Sequence, residues 1–190
     1  MALTADSDQL LVERARRGDL HAFEQLVVRH HDVVVRVSAR VVGDDEAEDV
    51  AQDAFLRAFH RLDRFRGEAP FRAWLLAIAR NSALSAAERS TYVAPADSVD
   101  DQRSDTAPER TPAEHLELRE RLARLDIKLK GLAPEHRMVL VLRDIEGLSY
   151  EEIAQITAAP LGSVKARLHR ARNEMVHLLR TNTYDWDLPA

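Results

Sequence analysis

Apolar residues recur along most of this chain in steps of three and four, the spacing that lines one face of an α-helix. The first run is short. Ser7 is placed to cap it, Leu10, Leu11 and Ala15 share its inner face, and Gly18 ends it. Asp19 caps a second helix, which carries Phe23, Leu26 and Val27 and runs to Val42, where Gly43 stops it. The stretch from Val33 to Val37 is rich in β-branched residues, which also suit strands. No turn signal separates it from the preceding helical pattern, so helix is the reading. Asp44 begins a third helix whose acidic first turn complements the helix dipole. Its apolar face is Val50, Ala51, Ala54, Phe55, Ala58 and Leu62. A loop from Asp63 to Ala69 contains Gly67, and Pro70 suits the first turn of a fourth helix with Trp74, Leu75, Ile78 and Ala79 as its buried stripe.

After Arg89 the period disappears. Residues 91–113 place Pro95, Pro108 and Pro112 among Ser, Thr, Asp and Ala, the composition of a mobile acidic linker. The pattern returns with Leu118, Leu122, Leu125, Leu129 and Leu132. Pro134 then opens a helix with Met138, Val141, Leu142 and Ile145 inside and Gly147 after it. Ser149 and Glu152 form a capping box ahead of a short helix that buries Ile153 and Ile156. A turn from Thr157 to Gly162 contains Pro160. Ser163 is the expected cap of the last long helix, whose core face is Val164, Leu168, Ala171, Met175 and Leu178. The predicted fold is all-α: two small helical domains, residues 1–90 and 116–182, joined by a flexible acidic linker over 91–115, with a tail over 183–190.

Composition agrees with this pattern. Of 190 residues, 45% are hydrophobic and 31% charged, with 6 glycines, which fits a helical globular chain. The absence of cysteine excludes disulfides, zinc thiolates and cysteine nucleophiles, and fits a cytoplasmic protein. No apolar run is long enough for a membrane span, and the polar, acidic N-terminus is not a signal peptide. The net charge of −5 argues against nucleic acid until its distribution is considered. Residues 44–53 hold six acids and no base, residues 57–80 hold six arginines and two acids, and residues 163–180 hold five bases and one acid. Segregated acidic and basic faces can meet both a protein and a nucleic acid.

A capped short helix, a tight turn and a basic second helix form a helix-turn-helix pattern. With Val164, Leu168, Ala171 and Met175 buried, the wheel points Ala166, His169, Arg170 and Asn173 furthest out, flanked by Lys165, Arg167 and Arg172. Such a turn can enter a major groove, where Arg and Lys contact guanine edges or phosphates. A plain helical hairpin with a solvated basic face has the same spacing.

Four segments together carry a resemblance: RRGDLHAFEQLV, GDDEAEDVAQDAFLRAF, RFRGEAPFRAWLLAIARNSAL and LRDIEGLSYEEIAQITAAPLGSVKARLHRAR. In this order, split by a variable acidic linker, they resemble the extracytoplasmic-function (ECF) sigma factors, small specificity subunits of bacterial RNA polymerase, over roughly residues 9–180. The resemblance implies an N-terminal domain that holds core RNA polymerase and melts the −10 promoter element, and a C-terminal domain that binds the −35 element. It matches Glu48, Asp49, Gln52, Asp53 and Phe55 to the segment that binds the clamp of the β′ subunit. It matches Arg64, Arg66, Phe71, Trp74 and Asn81 to the melting segment, where separated bases stack on aromatic or guanidinium planes. The apolar pattern also makes Trp74 and Phe71 core candidates, so Asn81 is the better base contact. For −35 recognition the matched positions are Arg143, Ser163, Lys165, Ala166, Arg167, His169 and Arg170, with the Ala166 methyl able to touch thymine. The implied partners are core polymerase, through the β′ clamp and the flap of the β subunit, promoter DNA and an anti-sigma factor. No cofactor and no membrane insertion are implied, and the linker would follow the polymerase RNA exit path.

Two features depart from the family pattern. Residues 82–89 lack the strongly basic helix end usual after Asn81, and the tail with Tyr184 and Trp186 has no counterpart. Two other functions compete. A stand-alone helix-turn-helix repressor explains residues 134–180 but leaves the acidic helix and the arginine–aromatic loop unemployed. A metalloenzyme on His30, His31 and Asp32 fails on geometry, because adjacent helical residues point about 100° apart. No catalytic nucleophile or phosphate loop is present, and the chain is not expected to be an enzyme.

Overall fold

The computed structural model describes residues 7–90, 124, 125 and 127–181. The predicted linker, Leu118, Leu122 and the tail lie outside them. Every described regular element is a helix or helical turn.

Helix α1 (Asp8–Arg16) starts at Ser7, whose hydroxyl accepts from the Leu10 amide. Helix α2 (Leu20–Val42) starts at Asp19, whose carboxylate accepts from the Ala22 amide, and ends at Gly43 with φ +99°. The valine stretch is helical. Val33, Val34, Val37 and Val41 are all buried on one face, whereas a strand would turn Val34 away from Val33 and Val37. Burial of that face outweighs the few tenths of a kcal/mol that each β-branched residue costs a helix, about 0.5 kcal/mol.

Helix α3 (Asp44–His60) follows with three acids in its first turn, and α4 (Phe71–Ser90) crosses both α2 and α3. Between them lies a short 3-10 turn, Leu62–Arg64, which takes Leu62 from the expected end of α3 and overlaps the start of the expected loop, Asp63 to Ala69. Leu11, Leu26, Leu75 and Leu76 are fully buried at the centre of this N-terminal group.

In the C-terminal group, residues 127–130 are helical. Helix α5 (Pro134–Leu140) then passes into one π-helical turn, Val141–Ile145. That turn is a departure from expectation. The Glu146 amide donates to Val141 O at 3.0 Å, and the Leu148 amide to Leu142 O at 3.0 Å. The wider turn rotates Ile145 out of the core, leaving it 39% exposed, although the periodicity had placed it inside. Helix α6 (Tyr150–Thr157) carries the expected capping box: Ser149 Oγ accepts from the Glu152 amide, and the Glu152 carboxylate accepts from the Ser149 amide at 2.8 Å. Helix α7 (Leu161–Thr181) starts two residues before Ser163. The Ser163 and Val164 amides donate to Pro160 O, so Ser163 lies inside the first turn and does not cap it. Leu129, Met138, Leu142, Ile153 and Leu168 fill this half.

The two groups touch. α6 packs on α4, and α5 lies against α2 and α4, so one apolar core runs through both. Arg137 is buried at this junction and donates to Val41 O at the C-terminal end of α2, to Lys130 O at 2.7 Å and to Leu132 O at 3.1 Å. The last carbonyls of a helix have no intrahelical donor, so the guanidinium caps α2 from the other half of the molecule.

Candidate polymerase- and promoter-binding surfaces

The alternation of small and large apolar residues in α3 buries Val50, Ala51, Ala54, Phe55 and Ala58. The opposite face presents Glu48, Asp49, Gln52, Leu56 and Phe59, one strip that changes from acidic to apolar along the helix. Leu56 is 55% and Phe59 39% exposed, and Phe59 meets half-buried Phe23 edge to face at 5.0 Å. These two apolar residues were missed by the sequence reading. Their signal was present: at four and seven residues beyond Gln52 they share its face.

Phe55, by contrast, lies in the core and supports the helix from beneath. Asp53 is partly exposed and held in place by two hydrogen bonds, accepting from Arg57 Nε at 2.7 Å and from buried Ser82 Oγ at 2.7 Å. Burial pushes its carboxyl up, but the two hydrogen bonds outweigh that and hold it below the ordinary carboxylate range. Glu48 accepts from His31 at 2.9 Å, which raises the His31 pKa. His30 turns the other way, toward Asp8 at 2.9 Å, and burial lowers its pKa despite that partner. The adjacent histidines thus diverge, and no group of three or more His, Asp or Glu among the described residues could hold a metal ion.

The arginine–aromatic segment separates into two layers. Phe65, Phe71 and Trp74 pack on one another with centroids 5.2–5.8 Å apart. Phe71 is buried and Trp74 half-buried, so the aromatic layer is largely core. Above it, Arg64 and Arg66 stand exposed around Gly67, which has φ +73°. Asn81 is exposed one turn and more along α4 from the aromatics, and its Oδ1 accepts from Arg80 at 2.9 Å.

In the helix-turn-helix, the turn between α6 and α7 is closed by Ala158 in the left-handed region, φ 49° and ψ 39°. Ser163, Lys165, Ala166, His169 and Arg170 are all exposed at the start of α7. Arg170 Nε reaches back to Ala166 O at 3.4 Å, and His169 pairs with Asn173 at 3.1 Å. Arg167 is half-buried and pairs with Glu135 of α5, in the same C-terminal group, at 3.5 Å. Arg143 lies on the π-helical turn, donating to Leu148 O at 2.6 Å and stacking 4.7 Å above Tyr150; Lys165 stands 5.7 Å from the same ring.

Two helical groups, one with an acidic-to-apolar strip beside an arginine-rich loop and the other with a basic helix-turn-helix, correspond to two family descriptions. Residues 26–91 match sigma-70 region 2, and residues 115–175 match sigma-70 region 4. The chain is 38% identical over 173 residues to the ECF RNA polymerase sigma-E factor of Escherichia coli (strain K12), covering 87% of this chain and 91% of that one. The chain belongs to the ECF sigma factors. The RNA polymerase sigma-H factor of Pseudomonas aeruginosa is likewise 38% identical over 178 residues, 90% of this chain and 92% of that one. Among solved structures, this sigma factor resembles CnrH in complex with the cytosolic domain of CnrY, at 31% identity and TM-score 0.69, covering 93% of this chain and 99% of that chain. The fold also matches the sigma factor RpoE in complex with the anti-sigma factor NepR from Bartonella quintana, at TM-score 0.63 and 24% identity, covering 83% and 96%. As an ECF sigma factor the chain directs transcription initiation, with core RNA polymerase and promoter DNA as its partners. No described helix is long and apolar enough to cross a membrane.

Proposed function

We propose that this sigma factor divides promoter recognition among three exposed surfaces. The strip Glu48, Asp49, Gln52, Leu56 and Phe59 docks on the β′ clamp, its acids supplying orientation and its apolar end supplying buried area. The exposed start of α7 reads −35 duplex: Lys165 and Arg170 hold phosphates or guanine edges, the Ala166 methyl meets thymine, and Ser163 and His169 add hydrogen bonds. Arg64, Arg66 and Asn81 capture separated −10 bases, with Phe71 and Trp74 forming the platform that holds the loop in place. The domain limits follow the sequence reading, residues 1–90 and 116–182. Phosphoryl transfer belongs to polymerase, in the cytoplasm, and this chain supplies no catalytic group. An anti-sigma factor is the expected regulator, because solved relatives such as the Bartonella quintana sigma factor are bound to one.

The observation that carries this reading is the pair of exposed faces of opposite character, the acidic-to-apolar strip of α3 and the basic start of α7, on one chain. A repressor needs only the second. The test is capture by purified core RNA polymerase followed by promoter-directed transcription. Gln52→Ala with Phe59→Ala should abolish capture and leave duplex binding by the helix-turn-helix unchanged. Duplex binding without any polymerase capture by the unmodified chain would instead favour the repressor.

A further inference from the structure

His30 is a buried titratable group that the binding surfaces above leave unused. Its side chain is 8% exposed and lies between the start of α1 and the start of α4. Nε2 is 2.9 Å from Asp8 Oδ2, and the ring centroid is 5.5 Å from that of Phe71, with the planes tilted by 50°. An ionised Asp8 can only accept, so Nε2 carries the hydrogen and donates. Phe71 passes this support on. It meets Phe65 edge to face at 5.8 Å, and buried Phe65 stands in the chain between exposed Arg64 and Arg66. The other end of α1 holds the same loop, where Arg16 donates to Asp63 O. Helix α1 therefore braces the arginine loop twice, directly through Arg16, and from beneath through Asp8, His30 and Phe71.

A proton acts on the second path. Burial opposes a positive charge on the ring most strongly and holds the His30 pKa below its ordinary value. Of the charged groups that act on the ring, Asp8 of α1 favours the charge, while Arg29 of its own helix and Arg72 of α4 oppose it. Asp8 is also shared, since Arg29 Nη1 donates to its Oδ1 at 2.6 Å. The imidazolium is thus more stable in water than in this site, and proton uptake favours withdrawal of the ring from beneath Phe71.

We propose that His30 is a positioning residue for −10 strand capture: neutral and held by Asp8, it supports Phe71 and so fixes the loop that bears Arg64 and Arg66, and a proton taken up by the ring withdraws that support, so that this sigma factor opens promoters less well in acid. This role rests on the −10 reading of the arginine loop.

The test uses the full-length protein bound to saturating core RNA polymerase. Promoter duplex carrying 2-aminopurine in the −10 element reports base unstacking by fluorescence, from about pH 7.5 to about pH 5.5, the range over which histidine titrates. His30→Gln keeps a donor toward Asp8 and does not titrate. Dividing the unmodified signal by the glutamine signal at each pH cancels the pH dependence of polymerase and of the His31–Glu48 pair. The ratio should fall as pH drops below about 6.5 toward the folded pKa, by up to about tenfold per pH unit for one proton. Asp8→Asn weakens the hold on the ring, so its fall should begin at a higher pH, and adding His30→Gln should flatten it again. A purely structural defect lowers the signal by the same factor at every pH. His30→Phe, which keeps a ring against Phe71, is the non-titrating reference where the glutamine variant does not fold, as checked by circular dichroism. Ratios that stay constant across the range while the unmodified protein opens the promoter overturn the role of His30. Polymerase capture without any promoter opening by the unmodified protein at neutral pH overturns the −10 reading of the loop, and the role of His30 with it.

Discussion

Arg137 offers the sharpest test of what holds the two halves of this molecule together. Arg137 is buried, 7% exposed, and its guanidinium meets three backbone carbonyls, from Val41, Lys130 and Leu132. Burial lowers its pKa, but a guanidinium stays charged at neutral pH. Three charge-assisted hydrogen bonds sum to roughly 4.5–9 kcal/mol. Desolvating the charge offsets several kcal/mol of this, and Nε has no partner among the described residues. Arg137→Ala is therefore expected to cost about 3–5 kcal/mol, the carbonyls it strands costing about 1–3 kcal/mol each where they stay buried. Arg137→Met decides the cause, because it fills the space without charge. If the stranded carbonyls dominate, methionine costs about 2–4 kcal/mol; if desolvation dominates, it is neutral or stabilising. Urea titration followed by far-ultraviolet circular dichroism measures both, with an unchanged slope showing that the unfolding reaction is the same. A methionine variant as stable as the unmodified protein would refute the argument that α2 needs this cap.

Two further predictions concern local conformation and protonation. Ala158→Gly removes the side-chain clash of a left-handed residue, about 1 kcal/mol, against a smaller loss of unfolded-state restriction, so the Tm should rise by roughly 1–3 °C; a lower Tm in a thermal melt would show the turn is not strained. His30 should titrate below and His31 above the ordinary 6.5 in a proton NMR titration. For His30 the unfolded chain takes up the proton first, so stability falls as pH drops through 6.5 toward its folded pKa. For His31 the sign reverses: its contribution is complete below 6.5 and disappears as pH rises through its folded pKa. Reversed or coincident midpoints would contradict the Glu48 contact of His31 and the burial of His30.

Local signals carried much of the architecture. Ser7, Asp19 and Ser149 each sit where a side-chain oxygen can satisfy a first-turn amide, and each does so. The core face of α7 was legible from spacing, because a helix buries residues with its own period. The start of α7 was not: Pro160 O opens the helix through the backbone, and a backbone acceptor carries no residue-type signal, whereas Ser163 has the residue type of a cap without the position of one. The π-helical turn was equally hidden, since it changes the period for five residues only, enough to turn Ile145 outward.

The sequence alone determined the helices, their inner faces and the family, all of which depend on neighbours within a few residues or on ordered motifs. Tertiary structure decided which polar residues are free to act. Asp53 and Ser82, 29 residues apart, satisfy each other, Phe55 and Phe71 go into the core, and Arg167 turns inward to Glu135 while Arg170 stays exposed. The pairing of Glu146 with Arg36 spans 110 residues. No period or cap encodes such a contact, because it exists only once two separately folded helix groups exclude water between them.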